Sequence, residues 1–93
     1  PQARIADWDL LLPARAVENQ AYVCGVNRVG DAPDDLHYNG HSLIIDPRGR
    51  IVEKLSDDQE GTLTTTIDLT LVEKGRTKFP VWKDADQFNI ITP

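Results

Sequence analysis

The sequence predicts a mixed α/β (α+β) fold, ordered as one helix, about four strands, a short helix and an extended tail. Three observations carry this expectation. Apolar residues recur at helical spacing from Ala6 to about Gln20. Three β-prone runs follow, at 21–29, 42–45 and 50–55, separated by clusters of Gly, Pro, Asn and Asp. A capping aspartate, Asp68, then precedes a second short helical stretch.

The first helix carries two apolar stripes, Trp8, Leu11, Leu12 and Ala16 on one and Leu10, Ala14, Val17 and Ala21 on the other. Two stripes require two covering surfaces, its own sheet and something further, such as a neighbouring helix or a second subunit. Pro13 lacks an N–H and crowds the carbonyl of Asp9, so a kink is expected there. Ala21–Val29 reads as one buried strand ending at Gly30, and Gly25 within it marks a close approach by backbone, bulge or ligand. Asp31–Asp35 is polar and contains Pro33, so it is expected to form an exposed loop leading to the turn signal Asn39-Gly40.

Ser42–Ile45 and Arg50–Leu55 flank Asp46-Pro47-Arg48-Gly49, a type I turn sequence, and so predict an antiparallel hairpin. After a charged loop from Ser56 to Glu60, the alternation of Leu63, Thr65 and Ile67 with Thr62, Thr64 and Thr66 predicts a half-buried strand. Asp68 can cap a helix from Leu69 to about Gly75, with Thr70 and Glu73 as an alternative capping box. From Lys78 to Pro93 there is little period. Phe79-Pro80-Val81-Trp82 and Phe88 suit an extended arm laid on another surface.

Ninety-three residues make room for one domain, and no repeat or flexible linker divides them. Fifteen acidic against ten basic side chains give a net charge of −5, which disfavours nucleic acid as a partner. The aliphatic runs, such as Leu10–Leu12 and Leu43–Ile45, fall far short of the roughly 20 apolar residues of a membrane span, so no membrane role is expected. One cysteine and no unbroken apolar leader fit a reducing cytoplasm. The absence of any methionine implies a processed chain or a piece of a longer one.

Cys24 is the one thiol, and its apolar strand environment favours an inert core residue over a nucleophile. His37 and His41 stand four apart, a metal-binding interval on a helix, but Asn39-Gly40 breaks a helix and no third ligand stands out; they read as loop histidines. Asp31, Asp34 and Asp35 lack the spacing of a calcium loop and read as solvated. Lys74, Arg76 and Lys78 follow a short helix, where cations favourably face its negative end. Arg15 and Glu18, beside Asn19 and Gln20, read as a structural ion-pair network, with support of a pocket by Glu18 as the sharper alternative. No metal or cofactor is expected.

The string Trp8-x-x-Leu11-Leu12-x-Ala14-Arg15-Ala16-Val17-Glu18-Asn19-Gln20-x-Tyr22-Val23 resembles the carbon–nitrogen hydrolase (nitrilase) superfamily. The likeness continues through Gly25–Gly30, Tyr38–Ser42, Ile45–Gly49, Ile67-Asp68 and Arg76-x-x-Phe79-Pro80, and is strongest to bacterial omega-amidase-like members. It implies an α-β-β-α sandwich in which a Glu-Lys-Cys triad hydrolyses amides or nitriles through a thioester. It also implies that residues 1–93 are the C-terminal portion of one such domain, with the triad upstream. On this reading Cys24 is not the nucleophile, the first helix contributes to a homo-oligomer, and Pro13 departs from the usual helix pattern.

Asn27, Tyr38 and Ser42 match segments that approach the substrate pocket in the family, and are the candidate substrate-binding residues. The expected substrate is a small-molecule amide, and the 93 residues alone are expected to be inactive. The rival expectation is a stand-alone, non-catalytic dimerisation module.

Overall fold

The computed structural model describes residues 1–84 and 89–91; Phe88 lies outside the described residues, and of residue 82 the backbone alone is described. The mixed α/β class holds. A 3-10 turn at Gln2–Arg4 leads into helix α1 (Ile5–Asn19), followed by β1 (Val23–Gly25), β2 (Val29–Ala32), β3 (Leu36–Asn39), β4 (Leu43–Ile45), β5 (Ile51–Lys54) and α2 (Leu69–Lys78), with a 3-10 turn at Val81–Asp84. β1, β4 and β5 form one antiparallel sheet in that order, and β2 and β3 form a separate hairpin.

Helix α1 runs continuously from Ile5 to Asn19, Pro13 included. One of its stripes packs on the sheet: Trp8, Leu12 and Val23 lie against a core of Ala16, Leu43 and Ile45. Gly25 is the close approach that its place in a strand implied. A Cβ there would sit 2.6 Å from Leu12 Cδ1 and 2.9 Å from Trp8 Cζ2, so the missing side chain is what lets the helix settle onto β1. The Trp8 indole N–H, half-buried by this packing, donates to His41 O at 2.9 Å. The second stripe is largely uncovered among the described residues, with Leu10 69% and Val17 53% exposed.

The predicted hairpin is present. Gly49 N–H donates to Asp46 O at 2.9 Å, the Asp46 carboxylate accepts from the N–H groups of Arg48 and Arg50, and Gly49 supplies the positive φ of 82° that closes the turn. The tip sits against α1, where a Gly49 Cβ would come 2.9 Å from Val17 Cγ2.

Four expectations are corrected. Ala21–Val29 is not one strand: the chain leaves the sheet after Gly25 and resumes as β2 at Val29, because Asn27 between them bonds across to Ser42 and Gly40. The exposed loop expected at Asp31–Asp35 is shorter: Asp31 and Ala32 belong to β2, and 33–35 form the exposed turn to β3, with Asp34 and Asp35 at φ of 64° and 57°, left-handed values that Asp tolerates. The threonine-rich segment 62–67 is not a strand; it pairs with no other segment among the described residues, and alternation without a ladder partner does not make one. Cys24 is exposed rather than core, because β1 is covered by α1 on the Val23 and Gly25 face and Cys24 points to the opposite face of the sheet.

Helix α2 begins as foreseen. Asp68 accepts from Thr70 N–H at 3.0 Å and from the Thr70 hydroxyl at 2.6 Å, and these bonds hold its carboxyl below the ordinary 3.8. The helix runs beyond Gly75 to Lys78, so Lys74, Arg76 and Lys78 lie within it rather than after it.

Candidate functional site

The segment leaving β1 is stitched to the start of β4. Asn27 N–H donates to Ser42 Oγ at 3.0 Å, the Ser42 hydroxyl returns to Asn27 O at 3.2 Å, and Asn27 Nδ2 donates to Gly40 O at 3.0 Å. Asn27 Oδ1 accepts from Arg28 N–H at 2.9 Å. Asn27 and Ser42 thus line one wall of a shallow depression of about 310 Å³, with Arg28, Leu55, Gln59 and Glu60 around it. The third candidate, Tyr38, stands apart on β3 opposite Gly30, and its ring carries the Arg28 guanidinium at 4.9 Å. Arg28 is therefore the link between Tyr38 and the rim.

Opposite that wall lies the Ser56–Glu60 loop. Asp58 N–H donates to Asn39 O at 2.9 Å, and Asp57 bridges to Gly40. Its side chains reach both histidines. His37 holds Asp31 on Nδ1 at 2.8 Å and Asp58 on Nε2 at 2.6 Å; His41 holds Asp9 on Nδ1 at 3.1 Å and Asp57 on Nε2. The hydrogen bond to Asp31, then that to Asp58, raises the His37 pKa above its ordinary 6.5. His37 lies in a strand rather than a loop, His41 lies in the loop between β3 and β4 as expected, and both rings are hydrogen-bonded through both nitrogens. Composition and spacing gave no signal for these contacts, because Asp57 and Asp58 come from sixteen or more residues away.

A second cluster joins the helix ends. Gln20 closes α1 in the left-handed conformation, at φ 48°, with its N–H on Ala16 O and Val17 O. Its side-chain amide donates to Phe79 O at 2.8 Å and Gly75 O at 3.4 Å, while Arg76 donates back to Gln20 O at 3.2 Å and Asn19 O at 3.4 Å. α1 thereby receives donors for its C-terminal carbonyls, and Gln20 adds a second donor to Gly75 O and Phe79 O, which also accept from the N–H groups of Phe79 and Val81. Arg15 and Glu18 form the expected pair, at 2.6 Å, on an exposed surface, and Glu18 borders the cavity between the helices with Asn19, Gln20 and Arg76.

None of these clusters is a complete hydrolytic centre. Cys24 lies on the open face of β1, and among the described residues it is hydrogen-bonded to no acid or base. Among the described residues no group of three or more His, Cys, Asp and Glu side chains is placed to hold a metal ion, and no helix is long and apolar enough to cross a membrane.

Residues 2–77 match the family model of the carbon-nitrogen hydrolases. The chain belongs to that family. It is 41% identical over 90 residues to an omega-amidase, YafV, of Escherichia coli K12, covering 97% of this chain and 35% of that protein. It is 42% identical over 84 residues to a 2-oxoglutaramate amidase of Bacillus subtilis, covering 90% of this chain and 32% of the other. Among solved structures, a carbon-nitrogen hydrolase superfamily protein of Xanthomonas campestris, XC1258, with an arsenic adduct in its active site, superposes with a TM-score of 0.87 at 41% identity; the match covers 97% of this chain and 34% of that one. This carbon-nitrogen hydrolase chain spans about a third of the length of the relatives it matches.

Proposed function

We propose that residues 1–93 are the C-terminal part of a single carbon-nitrogen hydrolase domain, an ω-amidase acting on a small amide that also carries a carboxylic acid. The identity to an omega-amidase along nearly the whole chain is the observation that carries this reading. In the intact protein a glutamate outside these residues takes the proton of a cysteine thiol, also outside them. The thiolate attacks the amide carbonyl and a lysine stabilises the oxyanion; ammonia leaves, and water then releases the acid from the thioester.

The chain's own contribution is a pocket wall. Asn27 and Ser42, locked to each other, present a fixed edge to the substrate, and Tyr38 backs it through Arg28. The uncovered stripe of Leu10, Leu11 and Val17 supports a homo-oligomer built on α1, in a soluble, cytoplasmic enzyme. The same stripe is what a stand-alone dimerisation module would use, so activity decides between the two readings.

The test is ammonia release from 2-oxoglutaramate by the intact protein and by residues 1–93 alone. The proposal expects turnover by the first and none by the second. Turnover by the 93 residues, or none by the intact protein on any ω-amide, contradicts it.

A further inference from the structure

The two histidines and the Ser56–Glu60 loop form a device that the hydrolytic reading does not use. Each imidazole has a carboxylate oxygen against both ring nitrogens: Asp31 and Asp58 on His37, Asp9 and Asp57 on His41. An ionised carboxylate accepts hydrogen bonds and donates none, and a neutral imidazole has one N–H and one lone pair. A neutral ring can therefore satisfy one of its two aspartates and turns a lone pair on the other. Only the imidazolium, with two N–H groups, satisfies both. We propose that the Ser56–Glu60 loop is a proton-operated latch, held over the Tyr38–Ser42 segment through Asp58 while His37 is imidazolium and let go there when His37 becomes neutral.

The surrounding charges set which end moves. His41 is faced by Asp9 from α1 and Asp57 from the loop, and Lys54 from β5 places Nζ 3.7 Å from the same Asp9 oxygen. His37 is faced by Asp31 from β2 and Asp58 from the loop, while Arg28 engages the Asp31 backbone carbonyl rather than its carboxylate. The loop itself carries Asp57, Asp58 and Glu60, so without the His37 imidazolium charge Asp58 is left beside the acidic Asp31.

The consequence reaches the pocket wall. Gln59 and Glu60 border the depression across from Asn27 and Ser42, so releasing the loop opens one side of it. The sign follows from the His37 pKa being raised in the folded protein: the His37 clasp on Asp58 is complete below about 6.5 and is lost as pH rises through the higher folded value. The inference stands on the paired geometry and holds whether or not the amidase reading does, because its readout is loop opening and not turnover.

Amide hydrogen exchange on the intact protein tests it, followed by mass spectrometry at about pH 6 and about pH 8.5, with each rate divided by its intrinsic value at that pH. The latch predicts that protection at residues 57–59 falls about tenfold or more at the higher pH, while α1 amides keep theirs. In Asp57→Asn/Asp58→Asn, whose side-chain amides can donate to or accept from a neutral ring, protection at 57–59 should not change with pH. Should that double variant lose protection throughout α1, the single variant Asp58→Asn replaces it and is expected to weaken the pH response. Equal protection of the wild-type loop at both pH values, or an undiminished response in the folded variants, overturns the proposal.

Discussion

At Gly25 a single hydrogen stands where any side chain would collide with Leu12 and Trp8, so the packing of α1 on the sheet rests on that residue. Gly25→Val should cost about 1–3 kcal/mol in thermal or denaturant unfolding, by the ordinary cost of overfilling a packed contact. A variant as stable as wild type would show that the helix does not seat there. Asp68 acts by a different mechanism, satisfying the first turn of α2, and Asp68→Ala should lower the thermal unfolding midpoint. Because its folded pKa is below the ordinary 3.8, the stability it contributes is present above that value and is lost as pH falls through the lower folded one. Stability compared between about pH 5 and about pH 2 should therefore fall less in Asp68→Ala than in wild type. Both residues were legible in the sequence: a glycine inside a β-prone run, and an aspartate before a helical one. The histidine contacts were not, because a ring's partners depend on which loop lies above it.

Between elements, the joint of α1 and α2 has the clearest cause. Gln20 takes a left-handed conformation that disfavours a residue with a Cβ, and its amide offsets that cost through bonds to Gly75 O and Phe79 O. Arg76 answers on the carbonyls of Asn19 and Gln20. No α2 residue is fully buried, and among the described residues this brace, with the bond from Asp68 N–H to the Tyr22 hydroxyl, ties α2 to the rest of the fold. Arg76→Ala should raise exchange of α2 amides severalfold while α1 stays protected, and Arg76→Lys should restore protection only in part, because an ammonium lacks the planar fork that spans two carbonyls. Unchanged exchange in Arg76→Ala would show that α2 is held by something else. The β4–β5 hairpin was readable because its turn chemistry is local. Residues 21–29 misled because what divides them is the long-range tie of Asn27 to Ser42 and Gly40, and residues 62–67 because alternation says which face a strand would bury and not whether a partner is present.

Taken whole, the molecule is a slab of 47 × 41 × 20 Å with a radius of gyration of 17.0 Å, against about 12 Å for a compact domain of this length. Among the described residues, buried Ala16, Leu43 and Ile45 sit between α1 and the β1–β4–β5 sheet, with Leu55 buried apart from them beside Gly61, leaving the outer stripe of α1 and the Cys24 face of β1 open. A surface of that kind predicts association: residues 1–93 alone should exceed the monomer mass in native mass spectrometry, whereas a monomer at micromolar concentration would mean that the open faces tolerate water. The family was legible from the Arg-Ala-x-Glu-Asn helix and the motifs that follow it, while the openness of the faces became visible only with the structure. The central claim is that this chain supplies scaffold and pocket wall while the reactive thiol lies elsewhere in the protein. Its most direct test is Cys24→Ser in the intact protein, assayed by ammonia release. The account predicts kcat within about twofold of wild type; a loss of about a hundredfold or more, in a variant that folds as wild type does, would make Cys24 the nucleophile and contradict it.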